Sequence, residues 1–265
     1  MPELFDIKLR AMRRDRAARI GPELFLHERA FADCLERLEL IQRTFGRALL
    51  IGCPDPAWRE RLQRHATEVE VADPGHAFAL AAGGGRIVED EWAAEGSAFD
   101  LIMAIGTLDT VNDLPRALLA FRHAQRADAL LIGAISGGDT LRQLRGAMRA
   151  ADEVPGDASP HVHPRIEASA LAGLLGSAGF HMPVVDVDRV QVAYRSLEQL
   201  VDDLRRMGAT NILAARSRQP MSRRARQAAR QSFAAAGDGE RTIEVFELLH
   251  FAAWTPARAD QPNHG

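Results

Sequence analysis

The run Arg47-Ala48-Leu49-Leu50-Ile51-Gly52 constrains this chain more than any other stretch. A short apolar run closing on a glycine reads as a buried strand that must turn sharply at its carboxyl end. In a strand–turn–helix unit such a glycine lets the backbone approach a nucleotide-type ligand, and the first amides of the next helix point at it. Here Cys53-Pro54-Asp55-Pro56 follows. Each proline lacks an amide hydrogen and has a fixed φ, so this loop offers fewer donors than such a cradle uses. The chain reads as a cofactor-binding plan whose cofactor loop has been altered.

The strand Arg47–Ile51 opens a series. Hydrophobic spacing predicts further strands over Val69–Ala72, Arg86–Val88, Phe99–Ile105 and Ala129–Ile135. Helices are predicted over Asp55–Ala66, over Asp113–Arg126, and after Gly137-Gly138-Asp139-Thr140 as far as about Asp152. Such alternation implies a parallel sheet with helices on both faces. Then the pattern changes. After a helix over Ser169–Ala178, the period-two stretches Val184–Val192 and Thr242–Phe251 fit an antiparallel pair closing the sheet edge. Residues 1–45 read as N-terminal helices broken at Gly21-Pro22, and residues 46–255 as the main domain, with a helical cap inserted at about 195–238. Arg10, Arg13, Arg14, Arg16 and Arg19 spread around the first helix and read as a solvated basic face. The polar tail 256–265 is expected to be disordered.

With 265 residues, 46% of them hydrophobic, the chain can bury a full α/β core. A net charge of −3 gives no reason to expect a nucleic-acid or membrane-surface partner. Two cysteines, Cys34 and Cys53, make no disulfide framework and fit a reducing cytoplasm. No apolar run reaches spanning length, and the first residues lack the apolar core of a signal peptide. The expectation is a cytoplasmic protein with no membrane insertion.

Several short motifs recur in a fixed order. Phe99-Asp100-Leu101-Ile102 is followed by Val111-Asn112-Asp113-Leu114-Pro115-Arg116-Ala117-Leu118, then Gly137-Gly138-Asp139-Thr140-Leu141 and Ser159-Pro160-His161. Leu174-Leu175-Gly176, Ala178-Gly179-Phe180 and Met207-Gly208-Ala209-Thr210-Asn211 complete the series. The series resembles the methyltransferase type 11 family, and within it the respiratory complex I assembly factor described as a protein arginine hydroxylase. The resemblance runs from about Leu4 to Trp254. It implies the class I S-adenosylmethionine (SAM) methyltransferase fold, Rossmann-like, an α/β fold with a seven-stranded, mostly parallel sheet and an antiparallel last strand. It also implies SAM as cofactor and a respiratory complex I subunit as partner. The chain departs from the family pattern in two places. Leu50 stands where the family has an acid, and Pro54 and Pro56 replace later glycines of the Gly-Cys-Gly-x-Gly loop. After strand four, Leu108-Asp109-Thr110 replaces a Leu-His-Trp.

The candidate cofactor-binding residues are Gly52, Cys53, Asp73, Asp90, Gly106 and Thr107. Asp73 closes strand two, where an acid on the ribose hydroxyls belongs; the competing reading is an Asp-Pro-Gly turn. Asp90 falls where the family has an acid near the adenine, or else belongs to a solvated run, Glu89–Glu91. Cys53 reads as a nucleophile at a helix start or as a small buried residue. Substrate candidates are Asp109, a natural acid for a cationic side chain, together with Asp139, Thr140 and His161. Asp109, Asp139 and Thr140 have bland readings as cap or turn residues, and His161 as a structural loop histidine. His161 and His163 would point the same way in an extended segment, but a facial iron site needs a carboxylate as well, and no metal is assigned. Two functions lead: a SAM-dependent methyltransferase-type protein modifying an arginine of a complex I subunit, and a non-catalytic assembly chaperone that kept the fold and lost the cofactor. A third, a small-molecule O-methyltransferase of the biotin-pathway type, shares the type 11 fold and is disfavoured by the motifs Gly137-Gly138-Asp139-Thr140-Leu141 and Met207-Gly208-Ala209-Thr210-Asn211.

Overall fold

The computed structural model describes residues 3–94, 96–154 and 158–257. Helices α1 (Ile7–Ile20) and α2 (Phe25–Ile41) precede β1 (Phe45–Ile51). Then come α3 (Ala57–Leu62), β2 (Ala66–Asp73), α4 (His76–Ala81), β3 (Gly85–Arg86) and β4 (Phe99–Ile105). Next are α5 (Leu114–Ala124), β5 (Gln125–Ser136), α6 (Arg142–Glu153) and α7 (Ala168–Ser177). The chain finishes with β6 (His181–Tyr194), α8 (Leu197–Arg206), α9 (Arg223–Ala235) and β7 (Thr242–Trp254). Among the described residues these strands make one seven-stranded sheet in the order β3-β2-β1-β4-β5-β7-β6. Strands β1 to β5 pair parallel. β7 runs antiparallel to both of its neighbours. This is the expected α/β architecture.

Strand pleating divides the core. Leu49, Ile51, Ile102 and Ala104 pack on Ala117, Leu118 and Phe121 of α5 and on Leu171 and Leu175 of α7. The alternate residues Ala48, Leu50, Leu101 and Met103 pack against Phe31, Cys34 and Leu38 of α2 and Trp58 and Leu62 of α3. The consecutive apolar positions Ala48–Ile51 and Leu101–Ile105 are what burial on both faces demands. Trp58 stacks on Phe31 with centroids 4.3 Å apart, and its indole N–H donates to Glu28 at 2.8 Å. A third cluster joins α6, α8 and α9 around Tyr194 and Phe246.

Several boundaries differ from those the sequence predicts, each for a local reason. The helix after β1 begins at Ala57, because two prolines withhold the amides that would extend it towards the strand. α4 has no counterpart in the prediction; it is six residues long, too short for a periodic signal. β3 is Gly85–Arg86 rather than Arg86–Val88. The helix expected to reach Arg126 stops at Ala124, where β5 begins. Gly21, with φ +89, ends α1 at the predicted break. Beyond Ala257, the expected tail lies outside the described residues.

Candidate functional site at the carboxyl edge of the sheet

Gly52 ends β1 with φ +80, a conformation that favours glycine. Its amide donates to the Ala72 carbonyl at 2.9 Å, and a Cβ there would lie 2.3 Å from the Ile105 carbonyl oxygen. The tips of β1 and β4 approach this closely because no side chain intervenes. Gly52→Ala is therefore expected to cost about 2 kcal/mol or more of stability. The check is a denaturant titration whose midpoint falls while its slope holds.

The next amide, that of Cys53, donates to Asp73 Oδ2 at 3.0 Å. The Cys53 thiol is buried, and its Sγ contacts the Asp55 carbonyl at 3.2 Å. Burial first, then the charges of Asp73 and Asp55, push it up to about 12, so it is a packing thiol and not a nucleophile. Pro54 is buried while Pro56 faces outward, and Asp55 accepts from the Ala57 amide at 2.9 Å where α3 begins.

Of the five arginines read as a solvated face on α1, Arg10 and Arg14 are buried, whereas Arg19 is exposed. Asp6 caps this helix by accepting from the Leu9 amide at 2.9 Å. Arg10, Arg14 and Ala17 then recur on one face and are buried, as residues spaced by four and three on a helix must. Asp73 is fully buried. Arg14 grips it with Nε on Oδ1 at 2.7 Å and Nη2 on Oδ2 at 2.6 Å. The Gly75 amide donates to the same Oδ1 at 2.7 Å. Burial is the largest single effect on the Arg14 guanidinium and pulls it down. The charge and hydrogen bonds of Asp73 with the charges of Glu89 and Asp109 together outweigh it, and the net shift is upward.

Arg10 makes the matching fork. Its Nη1 and Nη2 donate to Glu89 at 2.7 and 2.8 Å, and Nη2 also donates to the Thr107 carbonyl at 2.6 Å. Glu89 is 0% and Asp90 6% exposed, so the solvated acidic run of the sequence reading is corrected for both. Asp90 Oδ2 accepts from the Asn112 and Asp113 amides, each at 2.9 Å.

Gly106 has φ +61, and a Cβ on it would meet the His27 ring at 3.1 Å. Asp109 is ion-paired with Arg165, both side chains nearly buried. Beside them lies a cavity of about 90 Å³ whose walls include His27, Asp109, Arg165, Thr140, Met207 and Phe246. Of the other substrate candidates, Thr140 lines this cavity while bonding locally, and Asp139 and His161 serve local structure. Asp139 pairs with Arg142 in solvent. Thr140 Oγ1 donates to the Glu247 carbonyl at 3.1 Å and accepts from its amide at 3.0 Å. His161 lies 2.8 Å from Asp152, while His163 accepts from the Ile212 amide at 3.0 Å. Among the described residues no three His, Cys, Asp or Glu side chains gather as a metal site.

The edge thus gathers Gly52, Cys53, Asp73, Asp90, Gly106, Thr107 and Asp109, and leaves Asp139 and His161 outside. Arg10, Arg14, His27, Glu89 and Arg165 belong to it unannounced. For the two arginines the four-residue spacing was the available signal; a lone histidine or arginine carried none.

No protein-family model matches the chain. The mouse protein "Arginine-hydroxylase NDUFAF5, mitochondrial" is 32% identical over 220 residues, spanning 78% of this chain and 64% of that protein. The human protein of the same name is 42% identical over 116 residues, 43% of this chain and 34% of its own length. A malonyl-acyl-carrier-protein O-methyltransferase of Laribacter hongkongensis is 32% identical over 164 residues, 62% of this chain and 53% of that enzyme. The chain spans just under two thirds of the mouse relative's length. Among solved structures, the YcgJ protein of Bacillus subtilis superposes with a TM-score of 0.60 at 10% identity, covering 87% of this chain and 99% of that one. The N-methyltransferase NodS of Bradyrhizobium japonicum, solved with S-adenosyl-L-homocysteine, gives 0.50 at 16% identity over 93% and 98%. Among the described residues no helix is long and apolar enough to cross a membrane. Fold and sequence agree: the chain has the class I SAM-methyltransferase fold and is related in sequence to the NDUFAF5 proteins.

Proposed function

We propose that this protein binds S-adenosylmethionine along the tips of β1, β2 and β4 and acts on an arginine side chain of a respiratory complex I subunit during assembly. One observation carries the cofactor reading. Asp90 Oδ1, Thr107 Oγ1 and His27 Nδ1 are buried at this edge without a hydrogen-bond partner among the described residues. Buried polar atoms are nearly always paired, so a row of unpaired ones fits a ligand that supplies the missing partners. Gly52 and Gly106 keep the strand tips free of Cβ atoms beside them.

The residues fit the nucleoside half of the cofactor better than its amino-acid half. Asp73 and Asp90 would hold the adenosyl group, with Gly106 and Thr107 lining it. Leu50 supplies no acid for the ammonium group, and Pro54 and Pro56 supply no amides. The cofactor, when bound, provides an electrophilic sulfonium methyl. This chain's part is to orient, to exclude water from the cavity beside His27, and to keep that imidazole neutral. The substrate half of the proposal is supported by the activity named for the NDUFAF5 relatives and by a buried acid, Asp109, that already holds a guanidinium.

A second reading has its own support. With Asp73, Glu89 and Asp109 each paired to an internal arginine, the fold would also serve as an assembly chaperone without cofactor. Calorimetric titration of SAM into the purified chain separates the two. Saturable heat is expected, and no heat or thermal protection at millimolar ligand would leave the chaperone reading. A site in the cytoplasm or in an organelle is compatible with either.

A further inference from the structure

We infer that Arg14, seconded by Arg10, is an internal competitor for the nucleoside site, so that a cofactor of that class binds only as the guanidinium releases Asp73. The inference rests on the cofactor reading above and specifies how that site is regulated. A carboxylate offers about four acceptor directions. In Asp73 all are used: Oδ1 by Arg14 Nε and the Gly75 amide, Oδ2 by Arg14 Nη2 and the Cys53 amide. A ribose diol donating to this carboxylate would need two of those places. The two amides belong to the backbone of the strand tips and stay, so the guanidinium must go.

The surroundings make Arg14 a closed cover. A Cβ on Gly75 would lie 2.7 Å from Arg14 Cβ, and a Cβ on Gly208 would lie 3.3 Å from Arg14 Cα. The Arg14 Cζ lies 5.2 Å from the centroid of the Phe78 ring. Asp15, its neighbour, accepts from the Ala77 amide at 2.8 Å, which holds α1 across the turn between β2 and α4. Arg10 closes the adjoining stretch by bridging Glu89 and the Thr107 carbonyl. Yet Ala17 is the sole apolar side chain among the buried residues of α1. The contact is ionic, and an ionic contact can be exchanged for hydroxyl donors without tearing apolar surface from a core.

The test uses S-adenosyl-L-homocysteine as probe against the full chain and its Arg14→Lys variant. Lysine keeps the charge but cannot fork across both carboxylate oxygens. The variant is expected to bind the probe at least tenfold more tightly than the parent. In the parent, the Arg14 Nε–H, protected from solvent exchange when free, is expected to lose that protection at saturating probe. Equal affinities with the Nε–H still protected would overturn the competition while leaving the cofactor reading standing. Failure of both folded proteins to bind would defeat the cofactor reading, and the competition with it. Should Arg14→Lys not fold, the Nε–H measurement on the parent decides alone.

Discussion

Arg14→Ala should cost roughly 3–5 kcal/mol of folding stability, the price of leaving a buried carboxylate without its counter-charge. Asp73 has no solvent to turn to, since it is completely buried, and the two amides that remain on it replace only half of its donors. Arg14→Ala combined with Asp73→Asn removes the stranded charge and should recover part of the loss. An asparagine can accept from only one of the Cys53 and Gly75 amides, because these sit on opposite carboxylate oxygens, so the recovery is incomplete. A guanidinium chloride titration of parent, singles and double gives the coupling between the two positions. Additive losses would mean that the fork contributes nothing beyond its separate groups.

Acid should weaken the fold well before its carboxylates protonate in bulk, through two histidines. Burial, then the charge of Arg14, hold His27 down to about 4 against an ordinary 6.5; Asp109 and Asp73 oppose this without overcoming it. His163 is also held down to about 4, first by burial and then by Arg165, with Asp109 opposing and Arg145 assisting. The unfolded chain takes up these protons near 6.5, whereas the folded chain resists until about 4. The unfolded state therefore binds more protons between those values, and stability falls as the pH is lowered through that window. It is fully present above about 6.5 and loses nothing further from these rings below about 4. At about 1.4 kcal/mol per pH unit, each ring accounts for about 3 kcal/mol at the acid end. Denaturant midpoints measured from pH 7.5 to pH 4.5 check this. His163→Gln keeps an acceptor for the Ile212 amide and should flatten the profile by about half; an unchanged profile would acquit that ring.

The sheet was legible because its strands carry their burial in their composition. Phe99–Ile105 was delimited to the residue, since an apolar run interrupted only at Asp100 and closed by Gly106 admits few alternatives. The lone antiparallel strand followed from period-two stretches after the helices. The short elements escaped: α4 and β3 owe their form to what they lean on, not to any repeat of their own. The candidate site was half visible. Residues that close strands, such as Gly52, Asp73 and Gly106, stand out because glycine and aspartate at those positions are uncommon choices for a core. The arginines that complete it were read as surface, because charge ordinarily means water. Only the acids they meet, distant in sequence, turn Arg10 and Arg14 inward, and one helix alone does not say which acids those will be.

The place of β7 bears on how the chain is made. It emerges after α8 and α9, yet it lies between β5 and β6, and its ladder is the link that carries β6 into the sheet. Until translation passes Thr242, a growing polypeptide shows the long rim of β5 unsealed, with β6 lacking a neighbour to receive it. Unsealed rims recruit other strands, so shortened products ending before that point should be the form that clumps, and holdase chaperones should engage nascent chains there most strongly.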